Sequence, residues 1–182
     1  MEQDLRHFVR ILSASCERIE AEYFRLPQAD GDSVYRERVY CYELYHQMRT
    51  IWERFPYSLG GEIDKSGHAL FRGGPYAQAK PDFLVHMPGD MGQNLAVVEV
   101  KAATRSVADL HADIDKLSWF CGDPASYYCG ILLVFGLDQE FQRVRERVAA
   151  AIGALHAPRI LLAQHLGVGR PAEIAATSIA VR

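Results

Sequence analysis

The 182-residue chain has no apolar run approaching the ~20 residues that a bilayer-spanning helix requires. Its first residues, MEQDLRHFVR, lack the basic-then-apolar order of a secretory leader. A cytoplasmic protein without membrane contact is the expectation. Cysteine is scarce, with Cys16, Cys41, Cys121 and Cys129 in apolar segments and no C-x-x-C pair. That pattern predicts reduced, buried thiols and argues against a structural zinc site. Repeats and low-complexity stretches are absent too. So is a basic excess: 20 Lys and Arg stand against 23 Asp and Glu, a net charge of −3. Any contact with a polyanion must therefore be local. What remains is an average globular composition, 49% hydrophobic with 14 Gly and 8 Pro, in a length suited to one domain over residues 1–182.

Apolar residues at Leu5, Phe8, Val9, Leu12, Cys16, Ile19 and Tyr23 recur with a helical period. They predict one amphipathic helix over 4–24, the body of an N-terminal helical extension covering 1–30. Leu26-Pro27 and Ala29-Asp30-Gly31-Asp32 break it, and Ser33 is placed to cap a second helix reaching Phe55. Beyond Pro56 the pattern changes to short strands at 57–63, 68–71, 83–86 and 95–102, with turns at 64–67, 73–75 and 88–90. The last two strands read as a hairpin. Ser106 with Asp109 resembles a capping box that opens a helix ending near Cys121. Residues 127–135 form a nearly unbroken apolar run, as expected of a strand covered on both faces. A helix over 139–155, a strand over 159–164 and a last strand near 174–181 complete the chain. The predicted class is α/β: a mixed central sheet, an antiparallel meander followed by parallel crossovers, flanked by helices.

The chemistry concentrates in Leu95-Ala96-Val97-Val98-Glu99-Val100-Lys101. A strand this apolar belongs at the centre of a sheet, yet it carries a carboxylate and an ammonium two residues apart. With a period of two, Glu99 and Lys101 project from the same face. An unpaired buried charge costs several kcal/mol, so that face must hold compensating groups. Upstream, Pro81-Asp82 opens the adjoining strand, and a hairpin of this size brings Asp82 beside Glu99. Asp82, Glu99 and the carbonyl of Val100 then converge as oxygen ligands for a hard divalent cation, Mg2+ first and Mn2+ as its substitute. Such an ion neutralises a phosphate and lowers the pKa of a bound water, while Lys101 orients that water or helps deprotonate it.

Pro81-Asp82 followed by Glu99-Val100-Lys101 resembles the signature of the PD-(D/E)XK nuclease superfamily in its E-x-K form. The order of elements over residues 33–135 is also similar: a helix, a three-stranded meander, a helix and a further strand. The resemblance implies a restriction-endonuclease-like fold and a metal-dependent endonuclease or other nuclease. It also implies an acid from the first core helix, for which Glu37 and Glu43 are the candidates. On a helical wheel Glu37 lies within the apolar stripe and Glu43 on its flank beside Tyr40 and Gln47. Glu43 is preferred slightly, because an acid within the stripe is expected to be fully buried. Lys116 is the best phosphate-contacting candidate, since the helix after the E-x-K strand often lines the cleft in that superfamily.

Glu62, His68 and His86 are further candidates near the same sheet, both histidines being more ordinary as surface residues. Arg105 and the run Arg143-Val144-Arg145-Glu146-Arg147 read first as wet helix faces, and Tyr127-Tyr128 as core or rim. The functional expectation is hydrolysis of nucleic-acid phosphodiesters, DNA before RNA, by a chain that acts as a homodimer or in a larger assembly when two strands are cut. The alternative is a non-catalytic module of the same fold that binds nucleic acid or protein. The modest basic charge favours that alternative.

Overall fold

The computed structural model describes residues 1–62, 76, 79–153 and 159–177. The expected strand at 68–71, the turns at 64–67 and 73–75, and His68 lie outside the described residues, as does the end of the strand predicted near 174–181.

Helix α1 covers Glu2–Glu17 and a single further turn, α2, covers Ala21–Phe24. The one long helix expected over 4–24 is thus interrupted. Arg18 closes α1 through its backbone N–H, and Glu20 adopts an extended conformation at the start of α2. The apolar stripe survives the break: Ile19 stays buried, while Phe24 occupies the core and Tyr23 is exposed. The expected breaker segment forms a small antiparallel pair, β1 (Leu26–Pro27) with β2 (Ser33–Val34). Because Ser33 is engaged in that pair, the second helix, α3, starts later than its cap signal suggests and spans Glu37–Thr50.

The remaining elements are β3 (Ser58–Gly61), β4 (Phe83–His86), β5 (Asn94–Ala102), α4 (Val107–Cys121), β6 (Cys129–Phe135), α5 (Asp138–Gly153), β7 (Ile160–His165) and β8 (Glu173–Thr177). Six strands form one sheet in the order β3-β4-β5-β6-β7-β8. The first three make an antiparallel meander, β5, β6 and β7 run parallel, and β8 returns antiparallel to β7. The mixed α/β architecture is as expected. The Ser106 hydroxyl accepts a hydrogen bond from the Asp109 N–H at 3.1 Å, so the cap read from the sequence starts α4.

The sheet separates two apolar layers. Ala96, Val98, Val100 and Ala102 of β5 pack in the core shared with α1 and α3, whereas Val97 joins Leu110, Ile114 and Leu117 of α4 and Val144 and Val148 of α5. This alternation points Glu99 and Lys101 at α4. Phe83 pairs with Val98 across the hairpin, so the next register position sets Asp82 opposite Glu99.

Helix α1 is an integral wall of the first layer, burying Leu5, Phe8, Leu12 and Cys16. Polar bonds fasten its two ends. The Ser13 hydroxyl donates to the Ala172 carbonyl at 2.6 Å, and the Glu2 carboxylate accepts from the Tyr128 hydroxyl at 2.7 Å and pairs with Arg159. All four cysteines are free thiols. Among the described residues no helix is long and apolar enough to cross a membrane.

Gly130 sits where β6 comes close to both the neighbouring strand and α4. A Cβ there would lie 2.6 Å from Ile160 Cδ1 and 3.1 Å from Leu117 Cβ. Gly130→Ala is expected to destabilise the protein by about 1–3 kcal/mol through overpacking, seen as a lower urea midpoint with an unchanged denaturant slope.

Candidate active site at the mouth of the central hairpin

The middle of β5 is buried on both faces, and Glu99 is only 2% exposed. A carboxylate in that position needs charge around it, and four elements supply it. Lys116 of α4 places Nζ 2.7 Å from Glu99 Oε2. Asp113, one helical turn earlier, lies 3.2 Å from Lys116 through Oδ1 and 3.5 Å from Lys101 Nζ through Oδ2. Lys101 in turn stands 4.0 Å from Glu99 Oε2. Glu99, Lys116, Asp113 and Lys101 therefore close a ring of alternating sign on the α4 side of the sheet.

Asp82, at the mouth of β4, accepts the Val100 N–H on Oδ2 at 2.7 Å. The Val100 carbonyl, expected as a cation ligand, accepts from Lys101 Nζ at 3.3 Å. Asp82 also lines a cleft of ≈ 300 Å³ with Cys41, Tyr42, Tyr45, Gly61, Glu62 and Phe83, which opens one side of the cluster to solvent.

The helix acid that reaches this cluster is Glu37, in place of the preferred Glu43. Glu37 Oε2 lies 3.9 Å from Lys101 Nζ, and Oε1 takes hydrogen bonds from Arg105 Nε at 2.6 Å and from the Ala102 N–H at 3.4 Å. Glu43 Oε1 accepts a 2.6 Å bond from Gln47 on its own helix. The reason is the late start of α3. Glu37 is its first residue, so it shares the face of the apolar stripe yet projects past the end of the packed layer and keeps 22% of its side chain exposed. An acid in a first helical turn is also favoured by the helix dipole.

Of the other candidates, Glu62 pairs with Arg38 at 3.3 Å on the surface. Tyr127 is buried, and Arg143, Arg145 and Arg147 are exposed along α5. Asp113 escaped the sequence reading. Its signal is an acid three residues before Lys116 on the flank of the Leu110–Ile114–Leu117 stripe, and that spacing is as common in ordinary surface ion pairs.

The electrostatics follow from this packing. Burial, then repulsion from Asp82, pushes the Glu99 carboxyl up to about 8 against the pull of Lys116. Burial also raises Asp82, against the Val100 N–H and the two lysines. For Lys101 burial alone would lower the pKa, but Asp113, Glu99, Asp82 and Glu37 together hold it above the ordinary lysine value. Lys116 is raised in the same way, by Glu99 and Asp113 against the opposing effect of burial.

Among the described residues, the carboxyl groups of Glu37, Asp82, Glu99 and Asp113 gather around Lys101, Arg105 and Lys116. Glu99 Oε1, fully buried, has no hydrogen-bond partner among the described residues. The oxygen donors fit a hard cation. Among the described residues no three or more His, Cys, Asp or Glu side chains stand ready to hold a metal by themselves. Mg2+ does not demand that, since one or two carboxylates with water and substrate phosphate complete its shell.

A raised carboxyl pKa means that the folded state binds the proton more tightly than the unfolded state does. Its contribution is fully present below the unfolded value of 4.5 and is lost as pH rises through about 8. Chemical denaturation with a chelator present is expected to show stability falling across that window, and Glu99→Gln is expected to flatten the slope. Compared with family models, with curated proteins and with solved structures, the chain matches none.

Proposed function

We propose that the chain is a Mg2+-dependent nuclease hydrolysing phosphodiester bonds, with DNA as substrate, Mn2+ as a substitute ion, and a restriction-endonuclease-like core. The observation that carries this reading is the buried Glu99 Oε1, which has no hydrogen-bond partner among the described residues. The hairpin register sets this carboxylate opposite Asp82, and its other oxygen, Oε2, stands 4.0 Å from the Lys101 ammonium. Asp82 and Glu99 would hold the ion, with Glu37 as the outer acid. When bound, Mg2+ supplies a Lewis acid for the phosphate and an acidified water.

Lys101 does the work that this chain's own residues contribute to the reaction. Its carboxylate neighbours keep it protonated, so it acts as a donor and not as a base. It orients the attacking water and stabilises the negative charge that gathers on the phosphoryl oxygens as the P–O bond to the leaving group breaks. Contacts from Glu37, Glu99 and Asp113 fix that ammonium in place, so little reorganisation is needed during the reaction. Cutting both strands of a duplex would engage two copies of the chain.

A second reading, a non-catalytic module that binds nucleic acid or protein, draws on the 2.7 Å Lys116–Glu99 pair, which gives Glu99 a counter-ion of its own. The two readings diverge experimentally. Lys101→Ala is expected to keep the fold and lower Mg2+-dependent plasmid cleavage by about 10²–10³-fold, and undiminished cleavage would overturn the mechanism. Calorimetric binding of Mn2+ that vanishes in Asp82→Asn favours the nuclease. In the same cleavage assay Glu37→Gln is expected to lose activity and Glu43→Gln to retain it.

A further inference from the structure

The charge ring contains one cation more than the proposed reaction uses. Lys116 and Lys101 are equally buried, each side chain 19% exposed, but their relations to Glu99 differ. Lys116 holds Oε2 at hydrogen-bond distance, 2.7 Å, while Lys101 stands off at 4.0 Å. The other Glu99 oxygen is buried and free of partners among the described residues. A divalent ion on Glu99 and an ammonium on Glu99 are like charges sharing one carboxylate. They cannot both be held there at full strength.

We propose that Lys116 is the built-in counter-ion of Glu99, that it competes directly with the divalent cation, and that Asp113 is the acceptor that receives it on displacement. The inference rests on the reading of Glu99 as a metal ligand. Asp113 Oδ1 already lies 3.2 Å from Lys116 Nζ, one helical turn away on the same α4 face. The ammonium therefore exchanges Glu99 for a carboxylate it already touches, by turning about its own side-chain bonds, and no backbone movement is required. The device also selects by charge. A potassium or sodium ion offers Glu99 the same single charge as the ammonium and forfeits its short hydrogen bond, whereas a divalent ion gains on both acids at the strand mouth.

The experiment is calorimetric titration of the full chain with Mn2+ alone, in potassium chloride. Lys116→Gln is expected to bind Mn2+ about tenfold or more tightly than the wild type, because a hydrogen bond to a charged group no longer has to be broken. Lys116→Arg, which keeps the charge, should stay near the wild type. Lys101→Gln removes an equal charge at equal burial without freeing Oε2, and should tighten binding by less than about threefold. Equal tightening in Lys116→Gln and Lys101→Gln, or none in Lys116→Gln, overturns direct competition. If glutamine at position 116 prevents folding, Lys116→Met carries the same expectation. Plasmid cleavage separates the two ideas. A wild type that cuts DNA while Lys116→Gln binds Mn2+ no more tightly leaves the nuclease reading standing and removes this one. A wild type that cuts nothing, with Mn2+ binding tightened in Lys116→Gln and not in Lys116→Arg or Lys101→Gln, does the reverse.

Discussion

A carboxylate has been placed in the middle of a central strand that is buried along nearly its whole length, and the local structure answers to it. Glu99 sits between apolar layers where an isolated charge is costly. Its position requires an ammonium on the same strand two residues away, an ion pair projected from the following helix, and an open strand mouth nearby at Asp82. The hydrophobic layers supply the stability, and this one residue dictates how the polar groups are arranged. A buried ion network of this size gains little stability over apolar packing of the same volume, so stability alone does not account for it.

The hairpin and the α4 cap were legible because their signals are local. Turn residues, strand alternation and the Ser106–Asp109 spacing all act within a few positions, and the pairing of Phe83 with Val98 follows from them. Glu99 and Lys101 were legible as a same-face pair for the same reason. The break after Glu17 was not, since the residues 18–20 contain neither Gly nor Pro and the apolar period runs through them. The reversal between Glu37 and Glu43 has a comparable origin. A helical wheel reports angle but not depth, and whether an acid within the stripe is buried depends on where the helix begins. That beginning was moved by the pairing of Ser33 and Val34 with the segment at 26–27, a contact outside the helix. Asp113 lay beyond reach because its importance comes from what the sheet presents to it.

The first helix has a temporal consequence. Its polar anchors are separated from it by 126, 157 and 159 residues of chain, so those bonds form only after β6, β7 and the segment leading into β8 are available. Phe8, by contrast, meets Trp52, just after α3, across a far shorter stretch. Contacts of such sequence separation form slowly, because a long loop must close before they reward it. Docking of α1 is therefore staged: its apolar face meets Trp52 early, through Phe8, and its polar ends are fastened only when the far side of the sheet has formed.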